Sequence, residues 1–195
     1  MFRPDPISLL QFGTIWVIVF VGAIALVRAA RDRDDGKSAK KSRTSAVGIL
    51  IQGMGFISCA IGPVRVVLPW SAPLSLFCTA VVALLGGGAI AIFVAATRAM
   101  GKNWSVVARM RSDHELVRTG PFAIVRHPIY FALFLYMLGL AVAFGHTAQL
   151  LLAVPLYCAG TIIRVREEET LLRARFGEDH ARYVREVPAF IPFFG

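Results

Sequence analysis

The sequence predicts an all-α, polytopic membrane protein with about five transmembrane helices, the last two forming a helical hairpin. Three observations carry this expectation. Of 195 residues, 56% are hydrophobic and only 17% charged, and the mean hydropathy is +0.65, too apolar for an ordinary soluble domain. The apolar residues fall into long blocks, with no alternating or narrow amphipathic pattern, and about 20 helical residues suffice to cross a bilayer core. Continuous helices also satisfy their own backbone where lipid offers no hydrogen bonds.

The first block runs from about Ile7 to Val27, after a short start containing Pro4 and Pro6. No Ala-x-Ala-like site follows it, and the run is long, so it reads as an uncleaved spanning helix. Arg28 to Arg43 is a linker in which seven basic residues face Asp32, Asp34 and Asp35. The second block, about Ala46 to Pro63, is rich in small residues such as Gly53 and Gly55, which let helices approach closely in lipid. A turn with Arg65, Pro69, Trp70 and Pro73 leads to the third block, about Leu74 to Ala96. Gly86-Gly87-Gly88 within it lacks the Lys-Ser/Thr of a nucleotide loop and predicts close packing or a kink.

From Thr97 to Arg126 the chain turns polar, a connection of a length that is commonly functional. The fourth block, about Pro128 to Gly145, and the fifth, about Thr147 to Ile163, are parted only by Gly145-His146. Each is short for a full span, and together they read as a tight hairpin. Beyond Arg164 a helix is expected to about Phe176, a second from about Asp179, and then an interfacial aromatic tail. The division is a three-helix platform over 1–97 and a catalytic region over 98–195.

Five spans place the termini on opposite sides. The basic segments Arg28–Arg43, Thr97–Arg126 and Arg164–Arg185 then share one face, so the N-terminus is expected outside and the C-terminus in the cytoplasm. The net charge of +9 fits cytoplasmic loops against anionic headgroups better than nucleic-acid binding. Cys59, Cys78 and Cys158 sit in apolar blocks with no Cys-x-x-Cys pair, which indicates no disulfide framework. Metal-ligand spacing is absent as well, so neither a metal nor a nucleic acid is expected as a partner.

Two clusters carry chemistry. In Arg126-His127-Pro128-Ile129-Tyr130, Pro128 suits the first helical turn, His127 falls at the N-cap beside free backbone donors, and Tyr130 shares its helix face. In Arg164 to Glu169, Arg164 and Glu168 are i,i+4 neighbours. A surface ion pair there would be worth little, but the hairpin returns this cluster to the membrane face of His127. Glutamate can hold an ammonium and arginine can clamp a carboxylate, so a ligand carrying both groups suits the set. His146 and His180 read as bystanders.

Gly101-Lys102-Asn103-Trp104-Ser105, His114-x-Leu116-Val117, Gly120-Pro121-Phe122, Arg126-His127-Pro128-x-Tyr130 and Glu168-Glu169-x-x-Leu172-x-x-x-Phe176-Gly177 with Tyr183 resemble the isoprenylcysteine carboxyl methyltransferase family, related to phospholipid methyltransferases. The resemblance covers roughly Gly101 to Pro192. It implies S-adenosylmethionine bound on the cytoplasmic side, with S-adenosylhomocysteine as product, and a lipophilic or small acceptor arriving from the bilayer. It further implies a cofactor pocket lined by His114, Leu116, Val117, Gly120, Arg126, His127, Pro128 and Tyr130. Glu168 or Glu169 would meet the cofactor's ammonium, and Arg164 the carboxylate of cofactor or acceptor, with Arg164 and Glu168 the expected catalytic pair. Phe122 and His180 depart from the family pattern, standing where tyrosines are common.

The leading expectation is isoprenylcysteine-type carboxyl O-methylation. A phospholipid N-methyltransferase or small-thiol S-methyltransferase is the alternative within the class. An NADPH-dependent membrane reductase and a non-enzymatic membrane protein are the alternatives outside it. An amine acceptor would have to lose a proton, which gives Glu168 or Glu169 a base role.

Overall fold

The computed structural model describes residues 3–31, 43–101 and 115–190. Among them are five α-helices: α1 (Leu9–Arg31), α2 (Arg43–Ala60), α3 (Pro73–Met100), α4 (Pro128–Phe144) and α5 (Leu150–Glu186). The five helices match the five expected apolar blocks. Three of them are long and apolar enough to cross a membrane: α1, α3, and α5 taken with the turn before it; α4 is a shorter apolar helix. Large apolar side chains such as Phe20, Leu50, Leu84 and Leu151 face outward, as a lipid-facing surface requires. The chain is built as a multi-pass membrane protein.

One end of the bundle is tied by backbone. Two short strands, β1 (Pro6–Ile7) and β2 (Arg65–Val66), pair in parallel, and Asp5 N–H donates to the Gly145 carbonyl at 2.7 Å. The chain start, the α2–α3 turn and the α4–α5 turn therefore meet at one end. His146 is buried there, its ring nitrogens 2.8 Å from the Cys59 carbonyl and 3.1 Å from that of Pro63. It is a tie between elements, remote from the charged clusters.

The hairpin is present in connectivity, but its arms separate. α5 runs along α2, and α3 packs against both α1 and α4. One core cluster joins Ile15, Ile18, Val82, Leu140 and Ala143 from α1, α3 and α4. A second joins Cys59, Met137, Ala141, Ala153 and Tyr157 from α2, α4 and α5. α4 thus belongs to both, and the Tyr157 hydroxyl donates to the Tyr130 carbonyl at 2.6 Å.

Small residues decide the close approaches. A Cβ on Gly160 would lie 2.6 Å from the Gly48 carbonyl oxygen and 2.7 Å from the Gln52 nitrogen. Of the three consecutive glycines only Gly86 is pressed, against Ile18 at 2.6 Å, and α3 continues through all three. Gly160→Ala is therefore expected to cost about 1–3 kcal/mol through overpacking. Gly53, with nothing within 4 Å, should accept alanine without loss. Thermal midpoints of the two variants in detergent check the pair; equal midpoints would refute the close-approach argument.

α5 outlasts the bilayer. From Leu150 to Phe176 it runs about 40 Å at helical rise, against a hydrocarbon core of about 30 Å. Its apolar run ends at Ile163, so the charged part from Arg164 projects beyond the membrane-spanning part. The helix breaks at Gly177, which has φ of +49°, where the sequence places the boundary between two C-terminal helices. The aromatic tail beyond Phe190 lies outside the described residues.

Candidate functional site

The site forms where α4 begins and the projecting part of α5 passes it. Leading in, Gly120 adopts φ of +61°, the left-handed backbone that glycine accepts without strain, and opens a 3₁₀ turn over Gly120–Ala123. The Tyr183 hydroxyl donates to the Phe122 carbonyl at 2.7 Å, which ties this turn to the last stretch of α5. Arg126 N–H then donates to the Pro188 carbonyl at 2.9 Å and His127 N–H to that of Ala189 at 3.1 Å. The Phe190 ring lies 5.5 Å from the His127 ring. The chain after α5 is strapped along the segment before α4.

The strap takes up the backbone N–H of the residue that caps α4. His127 is the N-cap of α4 and Pro128 follows at the first turn. Its N–H, however, is taken by Ala189, so this donor is not available to an anionic group.

Glu169 is the centre of the polar cluster. Its Oε1 accepts from Arg126 Nε at 3.1 Å and faces His127 Nε2 at 2.9 Å. An ionised carboxylate only accepts, so Nε2 carries the imidazole proton there. The Oε2 atom lies 3.0 Å from His180 Nε2, an ion-pair distance without hydrogen-bond alignment, since both His180 nitrogens lack a hydrogen-bond partner. Burial by itself would raise the Glu169 carboxyl, but the His127 hydrogen bond, His127 and Arg126 outweigh it and hold it at about 2. Burial also lowers His180 below the usual imidazole value, against the pull of Glu169, with Arg126 and Arg173 adding to the lowering.

The sign follows. A carboxyl lower in the folded state than its ordinary 4.5 contributes stability that is complete above that pH and lost as pH falls through about 2. The thermal midpoint of Glu169→Gln is thus expected to sit well below wild type at neutral pH. The gap should close as pH falls from 4.5 toward 2; a gap independent of pH would contradict the assignment.

Glu168 faces the other way. It accepts from the Tyr130 hydroxyl, lies 3.9 Å from His127 Nδ1 through Oε2 and 3.9 Å from Arg164 Nη2 through Oε1. The Arg164 guanidinium sits over the Tyr130 ring at 4.9 Å, and Nη1 donates to Gln52 Oε1 at 3.0 Å. The Glu168 side chain, 28% exposed, is the more open of the two carboxylates, Glu169 being at 18%.

The fold therefore gathers Arg126, His127, Tyr130, Arg164, Glu168 and Glu169 around the start of α4, with Pro128 buried beneath them. Leu116 and Val117 are half-buried in the segment before the 3₁₀ turn. His114 lies outside the described residues, as do Lys102, Asn103, Trp104 and Ser105. His180 is no bystander: it is fully buried against Glu169. Three residues that sequence reasoning did not select join the cluster or support it: Gln52, Tyr157 and Thr161. A polar residue inside an apolar span was the available signal for Gln52. Among the described residues, no group of three or more His, Cys, Asp or Glu side chains is placed to hold a metal ion.

An apolar cavity of about 250 Å³ opens between α1, α3 and α4. Val19, Leu26, Ile90, Phe93, Leu133 and Tyr136 line it. Leu133 and Tyr136 lie roughly one and two turns along α4 from Tyr130.

Residues 80–174 match the Isoprenylcysteine carboxyl methyltransferase (ICMT) family. The match takes in just under half of the chain. It is 33% identical over 87 residues to the protein-S-isoprenylcysteine O-methyltransferase of Schizosaccharomyces pombe, covering 45% of this chain and 37% of that protein. The Xenopus laevis protein of the same name is 33% identical over 103 residues, covering 48% and 33%. Cobalt-zinc-cadmium resistance protein CzcN of Cupriavidus metallidurans is 35% identical over 97 residues, covering 48% and 43%. The chain thus spans between a third and a half of the length of these relatives. Both charged clusters, Arg126–Tyr130 and Arg164–Glu169, fall inside the ICMT-matched stretch, whereas Gln52, His180 and Tyr183 lie outside it.

Proposed function

We propose that the chain is an S-adenosylmethionine-dependent methyltransferase of the membrane, acting on a lipophilic acceptor, with carboxyl O-methylation of an isoprenylcysteine-like substrate as the best-supported reaction. The observation that carries this is the convergence of the two ICMT-family clusters, distant in sequence, on one pair of contacts: Tyr130 to Glu168 and His127 to Glu169.

The donor set fits the cofactor. Glu168 is a partly open carboxylate beside an aromatic ring, suited to the ammonium of an amino-acid moiety. Glu169 has both oxygens engaged by Arg126, His127 and His180, so the ammonium falls to Glu168, and Glu169 holds Arg126 and His127 in place. Leu116, Val117 and Gly120 form the approach to the pocket in this reading, and His114 is assigned to the cofactor on the family resemblance alone. Arg164 supplies positive charge for a carboxylate, on the cofactor or the acceptor. Held by Glu168 and the start of α4, S-adenosylmethionine would supply an electrophilic methyl group on its sulfonium for in-line displacement by the acceptor's nucleophile, the carbon–sulfur electron pair remaining on sulfur. A carboxylate acceptor is already nucleophilic, so the residues' contribution is alignment and exclusion of water. The apolar cavity near Tyr136 suits a lipophilic group reaching the site from the bilayer. The site faces the cytoplasm, with the N-terminus outside, because the basic segments share that face. Residues 1–97 form the platform and 98–195 the catalytic region.

Calorimetric titration of the purified protein with S-adenosylhomocysteine and with NADPH tests the reading. Binding of the former, lost in His127→Ala, is expected; a folded sample that binds only NADPH would make the protein a reductase. Radiolabelled methyl transfer to prenylcysteine, phosphatidylethanolamine and a small thiol then sorts acceptors. A base-labile product marks the expected ester, and a base-stable one marks nitrogen or sulfur.

A further inference from the structure

We propose that Gln52 of α2 is a positioning residue that sets the Arg164 guanidinium through a neutral amide, so that the half of the chain before the family-matched stretch supplies part of the site. The inference rests on the reading above only in taking Arg164 as a working group of the site.

Gln52 is 4% exposed in the middle of an apolar helix, where an amide is tolerated only if hydrogen-bonded. Both ends of its amide are used. Oε1 accepts from Arg164 Nη1 at 3.0 Å, and Nε2 donates to Thr161 Oγ1 at 2.7 Å. Arginine has donors alone, so the amide oxygen must face it and the NH₂ must face Thr161. Thr161 and Arg164 are three apart on α5, so one side chain from α2 reads one face of α5. The approach exists because Gly48 and Gly160 have no side chains: a Cβ on Gly48 would lie 2.5 Å from Arg164 Cγ and 2.9 Å from the Gly160 carbonyl oxygen. The stem and the head of Arg164 are therefore both held by α2.

The chemistry explains glutamine over glutamate. A neutral acceptor orients the guanidinium without adding a second negative charge to that of Glu168, whose Oε1 already lies 3.9 Å from Nη2. A carboxylate at the same place would orient it equally well and neutralise it. Gln52→Glu, nearly isosteric, separates positioning from mere packing.

Two measurements test this. The first is a double-mutant cycle on thermal stability without ligand, using Gln52→Leu, Arg164→Leu and the double variant. If Gln52 holds Arg164, the double variant loses less than the sum of the singles; additivity overturns the proposal. The second is methyl transfer by Gln52→Glu. It is expected to keep the wild-type thermal midpoint or exceed it, while kcat/KM falls by about tenfold or more. Unchanged turnover with a retained fold overturns the proposal, because a purely structural role predicts that result. A wild-type protein that binds no S-adenosylhomocysteine would overturn the functional reading instead, and the stability cycle would still decide whether Gln52 holds Arg164.

Discussion

Glu169→Ala is expected to cost about 3 kcal/mol or more of stability and to weaken S-adenosylhomocysteine binding along with it. The carboxylate holds Arg126 at 3.1 Å, His127 at 2.9 Å and His180 at 3.0 Å, and its side chain is only 18% exposed. Removing it leaves a guanidinium and two imidazoles facing one another with no anion between them, and breaking one side of a buried pair costs more than the pair contributes. The damage would spread, because Arg126 also donates to the Val184 and Val187 carbonyls and so fastens the end of α5. Thermal unfolding in detergent, followed alongside ligand titration, checks this. Glu169→Asp should recover part of both losses. A variant with wild-type stability would show that the cluster is held by the backbone strap alone.

Glu168→Gln is expected to behave in the opposite way, with near wild-type stability and a roughly 10- to 100-fold loss of S-adenosylhomocysteine affinity, the size of one charge-assisted hydrogen bond. Glutamine keeps the acceptor for the Tyr130 hydroxyl and loses only the negative charge. The Arg164 contact it would weaken is 3.9 Å long and partly exposed, where ion pairs contribute little to stability. Calorimetry of the variant beside a thermal scan separates the two effects. If affinity survives in Glu168→Gln and vanishes in a folded Glu169→Gln, the two adjacent glutamates have the opposite roles.

Much of the site was legible because its chemistry is local. Proline after His127 marks a helix start, and Tyr130 on the same face follows from helical spacing; the rings lie 6.0 Å apart. The i,i+4 spacing likewise pairs Arg164 with Glu168, and hydrophobic blocks separated by Gly145-His146 return the second cluster to the first. What resisted reading was the division of labour between adjacent residues. As partners for a ligand's ammonium Glu168 and Glu169 read alike in the sequence, and only their rotation around α5, one toward Tyr130 and Arg164, the other toward Arg126 and His180, divides the roles. His180 looked idle because nothing within one turn of it explains a histidine; its partner is on the preceding part of α5, reached across the break at Gly177. Gln52 was passed over because an isolated amide in an apolar run carries no motif.

The sequence by itself determined the class of protein, the five helices and the two charged clusters. These follow from hydropathy, helical period and proline or glycine punctuation, which act over short stretches of chain. The tertiary structure decided which helices pack together. The hairpin arms part because α2 offers α5 a glycine-lined surface at Gly48 and Gly55, while Gly139 of α4 lies against Leu85 and Gly86 of α3. It likewise decided that His127 donates its N–H to the Ala189 carbonyl and that Arg164 rests on Gln52. Those outcomes depend on residues 62 and 112 positions apart in the chain, and close packing, with no local preference behind it, brings them into contact.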